Sequence, residues 1–482
     1  MVRSFSIAIW SFILLTTLSC SRNPVTGKRE VMLLSEEQEI AMGQEADPQI
    51  VAQFGLYDDP KLQQFINEKG QQMAAVSHRK DLPYSFKIVD SPVVNAFAVP
   101  GGFVYFTRGI MAHFNNEAEF AGVLGHEIGH ITARHSASQQ SKVVLAQLGL
   151  VVGMVVSPEF AQFGDMASQG VGLLFYKFGR DDERESDRLG VEYSTTIGYD
   201  AKEMADFFRT LQRTSEAAGA QPIPDFLSTH PSPEERLETV GELAAEWKQK
   251  VGRPEYEIGR DSYLKMIDGI VYGEDPKQGF FEAGYFYHPE LKFQFKAPED
   301  WSKQNTPQAV QMAPKDGKAL MTLTLAPDSS LERAAQATLQ KYGLQLIEKE
   351  NTTVNGSPAI AMVADQPPQE GQQTQAIRTL TYLIQFEGRI YSIMGISGSA
   401  DFNKYQPRFT EISTSFDRLT DQEKLSRQPE RIKIRTVATN GTLEQTLKGL
   451  QTPQARLEEL AILNGMMLSD PVEKGMLIKV VE

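Results

Sequence analysis

Apolar residues recur at three- and four-residue spacing through much of the chain between about residues 22 and 250, a period typical of helices that pack on a core. This spacing predicts helices over six segments: 60–76, 116–135, 142–156, 165–197, 201–217 and 232–249. Two short runs, Ser85–Val89 and Gly102–Phe106, have the character of strands instead. The pattern therefore predicts a mostly helical domain with a small sheet.

Beyond about residue 283 the pattern changes to the alternation that is typical of β-strands. Strands are predicted at 291–297, 319–325, 359–363 and 379–397, with helical segments near 330–343 and 401–415. Residues 431–482 have a βααβ-like order. We therefore predict an α+β fold with four parts: a signal peptide (1–19), a main domain (20–270), an α+β module of unknown role (284–418) and a small module (431–482). Linkers are predicted at about 250–283 and 418–430.

Composition narrows the classes of function. The chain has 482 residues, of which 41% are apolar and 23% are charged, as in ordinary globular proteins. Its net charge of −14 and the lack of a long basic run argue against a nucleic-acid partner. Cys20 is the single cysteine, which excludes an internal disulfide and a thiolate-rich metal site. Any bound metal must therefore be held by histidines and carboxylates.

The amino terminus has the pattern of an exported protein. Residues 1–19 contain a largely apolar stretch that is typical of a signal peptide and too short to span a bilayer. Ser19 followed by Cys20 resembles a bacterial lipobox, which predicts a lipid on Cys20; plain secretion or an uncleaved anchor is the alternative. Serine rather than aspartate at position 21 favours the outer membrane of a Gram-negative bacterium, facing the periplasm.

The strongest chemical signal is His126-Glu127-Ile128-Gly129-His130, an HExxH pentad inside the helix predicted at 116–135. Histidines four residues apart lie one turn apart on nearly the same face, so both imidazoles can bind one metal ion. Glu127 then lies beside the open coordination position, where it can accept a proton from water that the metal acidifies. The pentad predicts one zinc ion per chain, with His126 and His130 as ligands and Glu127 as general base.

A catalytic zinc ion requires a third protein ligand. Glu183 is the candidate, because it lies four residues before Asp187 on a predicted helix and both can face one site. In this interpretation Glu183 binds the metal and Asp187 orients a ligand histidine. From spacing alone, both residues could instead be solvated charges on an acidic helix.

Several motifs in order carry a resemblance to a known family. They are Asn23-Pro24-Val25-Thr26-Gly27, residues 95–102 (NAFAVPGG), the HEIGH pentad, the Glu183 and Asp187 pair, and Thr229-His230-Pro231 followed by Arg236. Over about residues 22–270 the chain resembles the HtpX/BepA-like, prenyl-protease-related family of gluzincin zinc metallopeptidases. The resemblance implies a zinc endopeptidase in which Glu183, rather than Glu185, is the third ligand.

Further site residues follow from this resemblance. His230 lies in a proline-rich turn, and the matching histidine of related periplasmic enzymes approaches the zinc. We expect His230 either to bond the oxyanion or to occupy the fourth zinc position and silence the enzyme. Arg236 either orients this turn through a carboxylate or is a solvated helix charge. The run 101–106 looks like the edge strand above the zinc, with four residues predicted to pair with an extended substrate: Gly102, Phe103, Val104 and Tyr105.

Residues 431–482 resemble a LysM-like module, although Asn440-Gly441 replaces the usual Gly-Asp, so a small structural domain is the alternative. The function expected from the whole sequence is a zinc-dependent endopeptidase that hydrolyses misfolded or stalled envelope proteins. The alternatives are an envelope assembly chaperone with a latent zinc site and a peptidoglycan-tethered scaffold. The expected partners are polypeptide substrates, the membrane through the lipid, and peptidoglycan through the C-terminal module.

Overall fold

The computed structural model describes residues 20–140, 178–218, 226, 230, 233–326, 328–367 and 376–482. The predicted signal peptide (1–19) and the helix predicted at 142–156 lie outside these residues. Helices and several sheets are both present, so the predicted α+β class is confirmed. Among the described residues, no helix combines the length and the apolar character needed to cross a bilayer.

The first part of the chain is mostly helical and contains a two-stranded sheet, formed by its first two strands, and a three-stranded sheet. Its strands are β1 (Cys20–Arg22), β2 (Arg29–Val31), β3 (Ser85–Val89), β4 (Ala96–Val99) and β5 (Phe103–Thr107). Its helices, in the described residues, are α1 (Glu36–Phe54), α2 (Pro60–Ala74), α3 (Arg108–His113), α4 (Glu117–Thr132), α5 (Arg180–Thr196), α6 (Glu203–Ala218), α7 (Pro233–Val251) and α8 (Arg260–Met266). Helix α8 lies inside the predicted linker at 250–283, and it buries Tyr263 and Leu264.

The three-stranded sheet has the order β3-β5-β4. The interpretation of residues 101–106 as an edge strand is therefore wrong: β5 is central, parallel to β3 on one side and antiparallel to β4 on the other. A glycine turn with φ of 86° at Gly101 and 105° at Gly102 returns the chain from β4 into β5. The parallel pairing with β3 comes from a more distant part of the chain, which local sequence patterns do not reveal. Strand β4 is the edge strand on the other side of β5 among the described residues.

Helices α4 and α5 cross at a contact between glycines. A Cβ atom built on Gly125 would lie 2.9 Å from the Cα atom of Gly190, and one built on Gly190 would lie 2.9 Å from the backbone nitrogen of His126. Side chains are excluded at such separations, so the two backbones approach closely. This crossing sets the spacing between the helix that carries the HEIGH pentad and the helix that carries Glu183.

The middle of the chain is built from two antiparallel sheets. Its first elements are β6 (Phe280–Glu282), β7 (Tyr285–His288), β8 (Phe293–Lys296), β9 (Trp301–Asn305), β10 (Ala309–Pro314), β11 (Ala319–Leu325) and α9 (Leu331–Lys341). It continues with β12 (Gln345–Val354), β13 (Ser357–Gln366), β14 (Ile377–Phe386), β15 (Arg389–Gly398), α10 (Phe402–Thr414) and β16 (Asp417–Arg418). The sheet orders are β12-β13-β14-β15-β11-β10-β9 and β16-β8-β7-β6. The single strand predicted at 379–397 is a hairpin, because Glu387 and Gly388 have positive φ and turn the chain.

The last part of the chain contains α11 (Gln422–Leu425), β17 (Ile432–Thr436), β18 (Gly441–Thr442), α12 (Leu443–Gly449), α13 (Leu457–Leu463), β19 (Pro471–Val472) and β20 (Leu477–Val481). Strands β17 and β20 pair antiparallel. The apolar side chains of this module belong to the same hydrophobic cluster as those of α4, whereas the middle sheets have clusters of their own. The C-terminal module therefore packs directly on the first part of the chain.

Candidate metal centre

Helix α4 begins where a side chain caps it. The Asn116 carboxamide oxygen accepts a hydrogen bond from the Glu119 backbone N–H at 2.8 Å. The Glu119 carboxylate accepts from the backbone N–H of Asn115 at 2.6 Å rather than from that of Asn116, so the return bond of a capping box is not formed. The apolar face of α4, with Phe120, Val123, Leu124 and Ile128, is buried in the main core. The helix is therefore fixed at its start and along one face.

Four side chains meet at one buried point. His126 and His130 come from α4, Glu183 from α5, and His230 from the segment before α7. One ligand atom from each lies within 4.8 Å of the others, and all four residues are buried. His126 Nε2 is 3.0 Å from His130 Nε2 and 3.2 Å from His230 Nδ1, and Glu183 Oε1 is 2.9 Å from His230 Nδ1.

The donor set fits a zinc ion. Two neutral histidines and a carboxylate are a usual set for catalytic zinc. Burial lowers the pKa of His130 well below its ordinary value, which keeps the ring neutral, as a metal ligand must be. The Glu127 Oε1 atom is buried and accepts no hydrogen bond from any described residue, whereas Glu183 Oε2 lies 3.2 Å from the Arg236 guanidinium. Buried carboxylate oxygens without such a partner are costly unless a cation or water meets them.

Glu127 lies next to this cluster but is not part of it. Its Oε1 atom is 3.7 Å from His230 Nε2, and the residue is 1% exposed. Burial raises the pKa of the Glu127 carboxyl, against the opposing charges of His230 and His126. A carboxyl of raised pKa beside a metal cluster is suited to taking and returning a proton.

Asp187 and Arg236 hold the cluster from behind. Asp187 Oδ1 is 2.9 Å from His126 Nδ1, on the ring side opposite the cluster. Arg236 Nε and Nη2 donate to the two Asp187 oxygens at 2.7 and 2.6 Å, and Arg236 Nη1 is 3.2 Å from Glu183 Oε2. Arg236 is buried, which favours the carboxylate-pairing alternative over the solvated one. Its guanidinium also lies 4.1 Å from the ring centre of Phe208.

These charges keep the carboxylates ionised. Burial would raise the pKa of Glu183, but the charge of His230 and hydrogen bonds from His130 and His230 hold it well below its ordinary value. Burial would likewise raise the pKa of Asp187, and the Arg236 charge lowers it instead. An ionised Glu183 is available as a ligand, while Asp187 can accept the Nδ1 proton of His126 and direct its Nε2 towards the cluster.

Two histidines outside the ligand set have partners that the sequence did not reveal. His135 Nδ1 lies 3.0 Å from His130 Nδ1, and His135 Nε2 lies 3.3 Å from a Glu185 oxygen. His135 therefore contacts the ring nitrogen of His130 that does not face the cluster, and Glu185 pairs with His135 rather than with the metal cluster. His78 Nδ1 is 2.6 Å from the hydroxyl of Tyr193. The five-residue step from His130 to His135 places them on different faces of a helix, so spacing alone gave no signal of this pairing.

A buried ion cluster holds the carboxyl end of α4. Glu39 accepts hydrogen bonds from Arg79 at 2.9 Å and from Arg134 at 2.5 Å. Arg79 also donates to the Ile131 carbonyl at 3.0 Å, which satisfies a carbonyl at the end of the helix. The Asn23 side chain, in the turn after β1, donates to the Ala133 carbonyl at 3.4 Å. The NPVTG motif therefore contacts the residue that follows α4.

Known proteins share this region of the chain. Residues 60–244 match the family described as Peptidase family M48. The chain is similar to the Beta-barrel assembly-enhancing protease of Yersinia pestis, with 32% identity over 52% of this chain and 52% of that protein. It is also similar to the Beta-barrel assembly-enhancing protease of Escherichia coli (28% identity, 62% and 59%) and the Mitochondrial metalloendopeptidase OMA1 of Arabidopsis thaliana (30% identity, 43% and 42%). The chain spans about half the length of the curated relatives it matches.

The family match and the site coincide. All four residues of the buried cluster lie between residues 60 and 244, and so do Glu127, Asp187 and Arg236. The metallopeptidase resemblance that the motifs indicated is therefore confirmed at the level of the domain. Residues 60–244 of this chain form a domain of Peptidase family M48.

Proposed function

We propose that this protein is a zinc-dependent endopeptidase of the bacterial envelope. The observation that carries the proposal is the buried convergence of His126, His130 and Glu183 beside the carboxyl of Glu127. Two similar proteins are named as proteases that enhance β-barrel assembly, and this supports envelope polypeptides as the substrate class. The proposed substrates are misfolded or stalled envelope proteins.

The residues divide the reaction between them. His126, His130 and Glu183 would hold a zinc ion, which when bound supplies Lewis-acid chemistry to water and to a peptide carbonyl. Glu127 accepts the proton of the attacking water and passes it to the amine of the departing product. Asp187 keeps His126 in the tautomer whose Nε2 faces the cluster, and Arg236 keeps Asp187 ionised. The chain thus contains a base, three ligands and their supports.

The first experiment compares wild type with Glu127→Gln. Bound zinc is measured per chain in the purified protein, together with cleavage of casein. We expect about one zinc ion in both proteins and a loss of cleavage of at least about 100-fold in the variant, since the base is removed and the ligands remain. Absence of zinc would overturn the ligand assignment. Equal cleavage by both proteins would reject Glu127 as the base.

His230 at the fourth zinc position would keep the activity of the isolated protein low. Its Nδ1 atom is one of the four converging ligand atoms, which supports the fourth zinc position rather than a bond to an oxyanion. His230 is also held in place, because its N–H donates to the Phe226 carbonyl at 2.8 Å and the Phe226 N–H donates to the Val94 carbonyl at 3.3 Å. We therefore expect His230→Ala to bind zinc and to cleave casein faster than wild type. Slower cleavage would instead assign His230 to transition-state stabilisation.

We propose that the substrate pairs with β4, an edge strand of the three-stranded sheet, instead of with β5. Strand β4 packs against α4 and pairs with β5 along one side only, among the described residues. An extended peptide can pair with such an edge through its backbone, with little demand on its sequence. A peptide with alternate backbone amides N-methylated keeps its side chains and should lose cleavage. Unchanged cleavage would argue against pairing at β4.

We also propose that the protein is anchored to the outer membrane through a lipid on Cys20. The apolar stretch before Ser19-Cys20 predicts a lipidated residue at the mature amino terminus and attachment to the periplasmic face of the outer membrane. Mass spectrometry of the mature protein should find a diacylglyceryl group on Cys20. Cys20→Ala should move the protein from the membrane fraction to the soluble fraction. An unmodified Cys20 would reject the anchor.

A further inference from the structure

A lysine of the C-terminal module (residues 431–482) is buried against the peptidase region, which contains residues 60–244. Lys479 lies in β20, and its side chain is not exposed to solvent. Its ammonium donates to three backbone carbonyls: Ala112 at 3.0 Å, His113 at 3.3 Å and Phe114 at 3.0 Å. An ammonium has three hydrogens, so all of its donors are satisfied by this one turn of backbone.

The carbonyls that Lys479 meets end one helix and lead into the next. Ala112 and His113 close α3, and its last carbonyls have no partner inside the helix. Only Asn115 and the cap residue Asn116 separate Phe114 from the start of α4, the helix that carries the HEIGH pentad. A cation at a helix carboxyl end is also favoured by the helix dipole. Lys479 thus fixes the turn from which the pentad helix begins.

Other contacts seat the rest of the module around this turn. The Gly269 N–H donates to the Ile432 carbonyl at 2.8 Å, and the Ile432 N–H donates to the Ile270 carbonyl at 2.9 Å. On the other side, Arg213 of α6 donates to the Met466 carbonyl at 2.7 Å. Gly465, with φ of 65°, is so close to Asn115 that a Cβ atom would lie 2.9 Å from its side-chain nitrogen. Backbone and side-chain contacts therefore join the module to residues 269–270, to α6 and to the α3–α4 turn.

The apolar contacts agree with the polar ones. Buried residues of the module such as Leu460, Ile478 and Val480 lie in one continuous cluster with Val123 and Ile128 of α4. An independent carbohydrate-binding module on a linker would have a core of its own and a polar contact surface. A buried charge that crosses between two parts of a chain is instead typical of a fixed relative position, because breaking it leaves unpaired groups on both sides.

We propose that residues 430–482 are an integral clamp of the peptidase domain and that Lys479 is a positioning residue for α4. The clamp holds the α3–α4 turn, and through it the register of His126, Glu127 and His130. This inference rests on the proposed peptidase function for its catalytic consequence only. The docking itself follows from the contacts and can be measured without any cleavage assay.

The experiment compares three variants of the full mature protein: Lys479→Met, Lys479→Arg and the exposed control Lys474→Met. Amide hydrogen exchange is followed by mass spectrometry over residues 112–124. We expect Lys479→Met to exchange at least about tenfold faster there, because three carbonyls lose their donor, and Lys479→Arg to lie between it and wild type. The control should match wild type. Wild-type exchange in Lys479→Met would overturn the proposal.

Cleavage separates a positioning role from a general loss of stability. In Lys479→Met we expect a fall in kcat for a casein peptide with KM unchanged, since the hydrogen bonds between β4 and β5 do not involve Lys479 and the shift falls on the pentad. Partial recovery of kcat in Lys479→Arg should accompany partial recovery of exchange. If all of the purified Lys479→Met protein is active and its kcat equals that of wild type, the positioning role is rejected. If neither wild type nor His230→Ala cleaves, the proposed function fails while the exchange result still tests the clamp.

A second variant covers the case in which Lys479→Met does not fold. Arg213→Ala removes two hydrogen bonds at the partly exposed rim of the same interface, one to the Met466 carbonyl and one to the Glu458 carboxylate. If the module and the turn form one unit, exchange should rise at residues 457–466 and also at 112–116. A rise confined to 457–466 would show a module that moves independently of the turn and would overturn the clamp.

Discussion

Asp187 is the residue on which two buried groups depend at once. It accepts from His126 on one side and from Arg236 on the other, and none of the three is exposed to solvent by more than a few per cent. Asp187→Asn removes the negative charge between a metal ligand and a buried guanidinium. We expect zinc affinity to fall by about 10- to 100-fold, as is usual when the partner of a ligand histidine is lost.

Competition with a chelator measures this affinity. The matched control is Asp181→Asn on the same helix, because the Asp181 side chain is 97% exposed and pairs with the exposed Arg184. The control should bind zinc as tightly as wild type. Equal affinity in Asp187→Asn would show that His126 is held in place by packing alone.

His113 predicts how stability responds to acid. Burial lowers the pKa of His113 to about 4, while its Nδ1 atom lies 2.7 Å from the Gly109 carbonyl. In an unfolded chain the pKa is about 6.5. Between these two values the unfolded chain binds a proton that the folded ring does not, so the free energy of unfolding falls as pH falls. From pH 7 to pH 5 the loss is roughly 2 kcal/mol for this group, at about 1.4 kcal/mol for each pH unit below 6.5.

His113→Asn isolates that contribution. The carboxamide can donate to the Gly109 carbonyl as the imidazole does, and it does not titrate. Urea unfolding at pH 7 and pH 5 should show a smaller acid-induced loss in the variant than in wild type. An equal loss in the two proteins would place the acid sensitivity in other groups.

At the scale of elements, the crossing of α4 and α5 depends on the absence of side chains. Gly190→Ala places a methyl group 2.9 Å from the His126 nitrogen and 3.0 Å from the Gly122 carbonyl. The helices must separate, which we expect to lower the free energy of unfolding by about 1–3 kcal/mol and to weaken zinc binding, because the ligands come from both helices. Gly241→Ala is the control. It lies in α7 with no atom near the added methyl group, so it should raise stability by about 0.5–1 kcal/mol.

Urea unfolding and zinc titration of both alanine variants distinguish packing from helix propensity. Loss in both variants would mean that the loss in Gly190→Ala is not specific to the crossing. Loss in Gly190→Ala with unaltered zinc affinity would mean that α5 adjusts without moving Glu183.

The elements divide into those that local pattern determines and those that it does not. Strand β3 and the helices α2, α4 and α6 follow the apolar period closely, and the pentad follows from side chains spaced by one turn. Spacing alone left Glu183 and Asp187 open between ligand and solvated charge, and the family resemblance implied their roles. The order of the sheet did not follow, because the pairing of β3 with β5 joins segments that are apart in sequence. The role of Arg236 was also open in the sequence: a lone arginine on a helix pairs or is solvated according to what packs against it.

Lys479 is the clearest residue of this kind. In the run Leu477–Val481 it reads as an ordinary alternating strand residue that faces solvent, and in the structure it is buried against another part of the chain. Strand alternation predicts which residues share a face, but it does not say which face a distant helix will cover.

Among the described residues, the hydrophobic core of the middle sheets is separate from that of the peptidase region. The peptidase region and the C-terminal module share one cluster, whereas the middle sheets have clusters of their own, one of which contains Phe286, Phe409 and Tyr391. We therefore expect two unfolding transitions in scanning calorimetry. A ligand that binds only the folded state stabilises the unit that contains its site, by about 4 kcal/mol at a free concentration 1,000 times its dissociation constant. Chelation should lower one transition temperature and leave the other unchanged.

A reciprocal variant identifies the transitions. Phe409 is fully buried in the middle core, so Phe409→Ala should destabilise that unit by about 3–5 kcal/mol and lower only the transition that chelation leaves unchanged. The C-terminal module should follow the peptidase region in both experiments, since its buried residues belong to the same cluster. A third transition would contradict this division into two units. A transition that chelation and Phe409→Ala both shift would also contradict it, because each unit would then unfold cooperatively through contacts outside its own cluster.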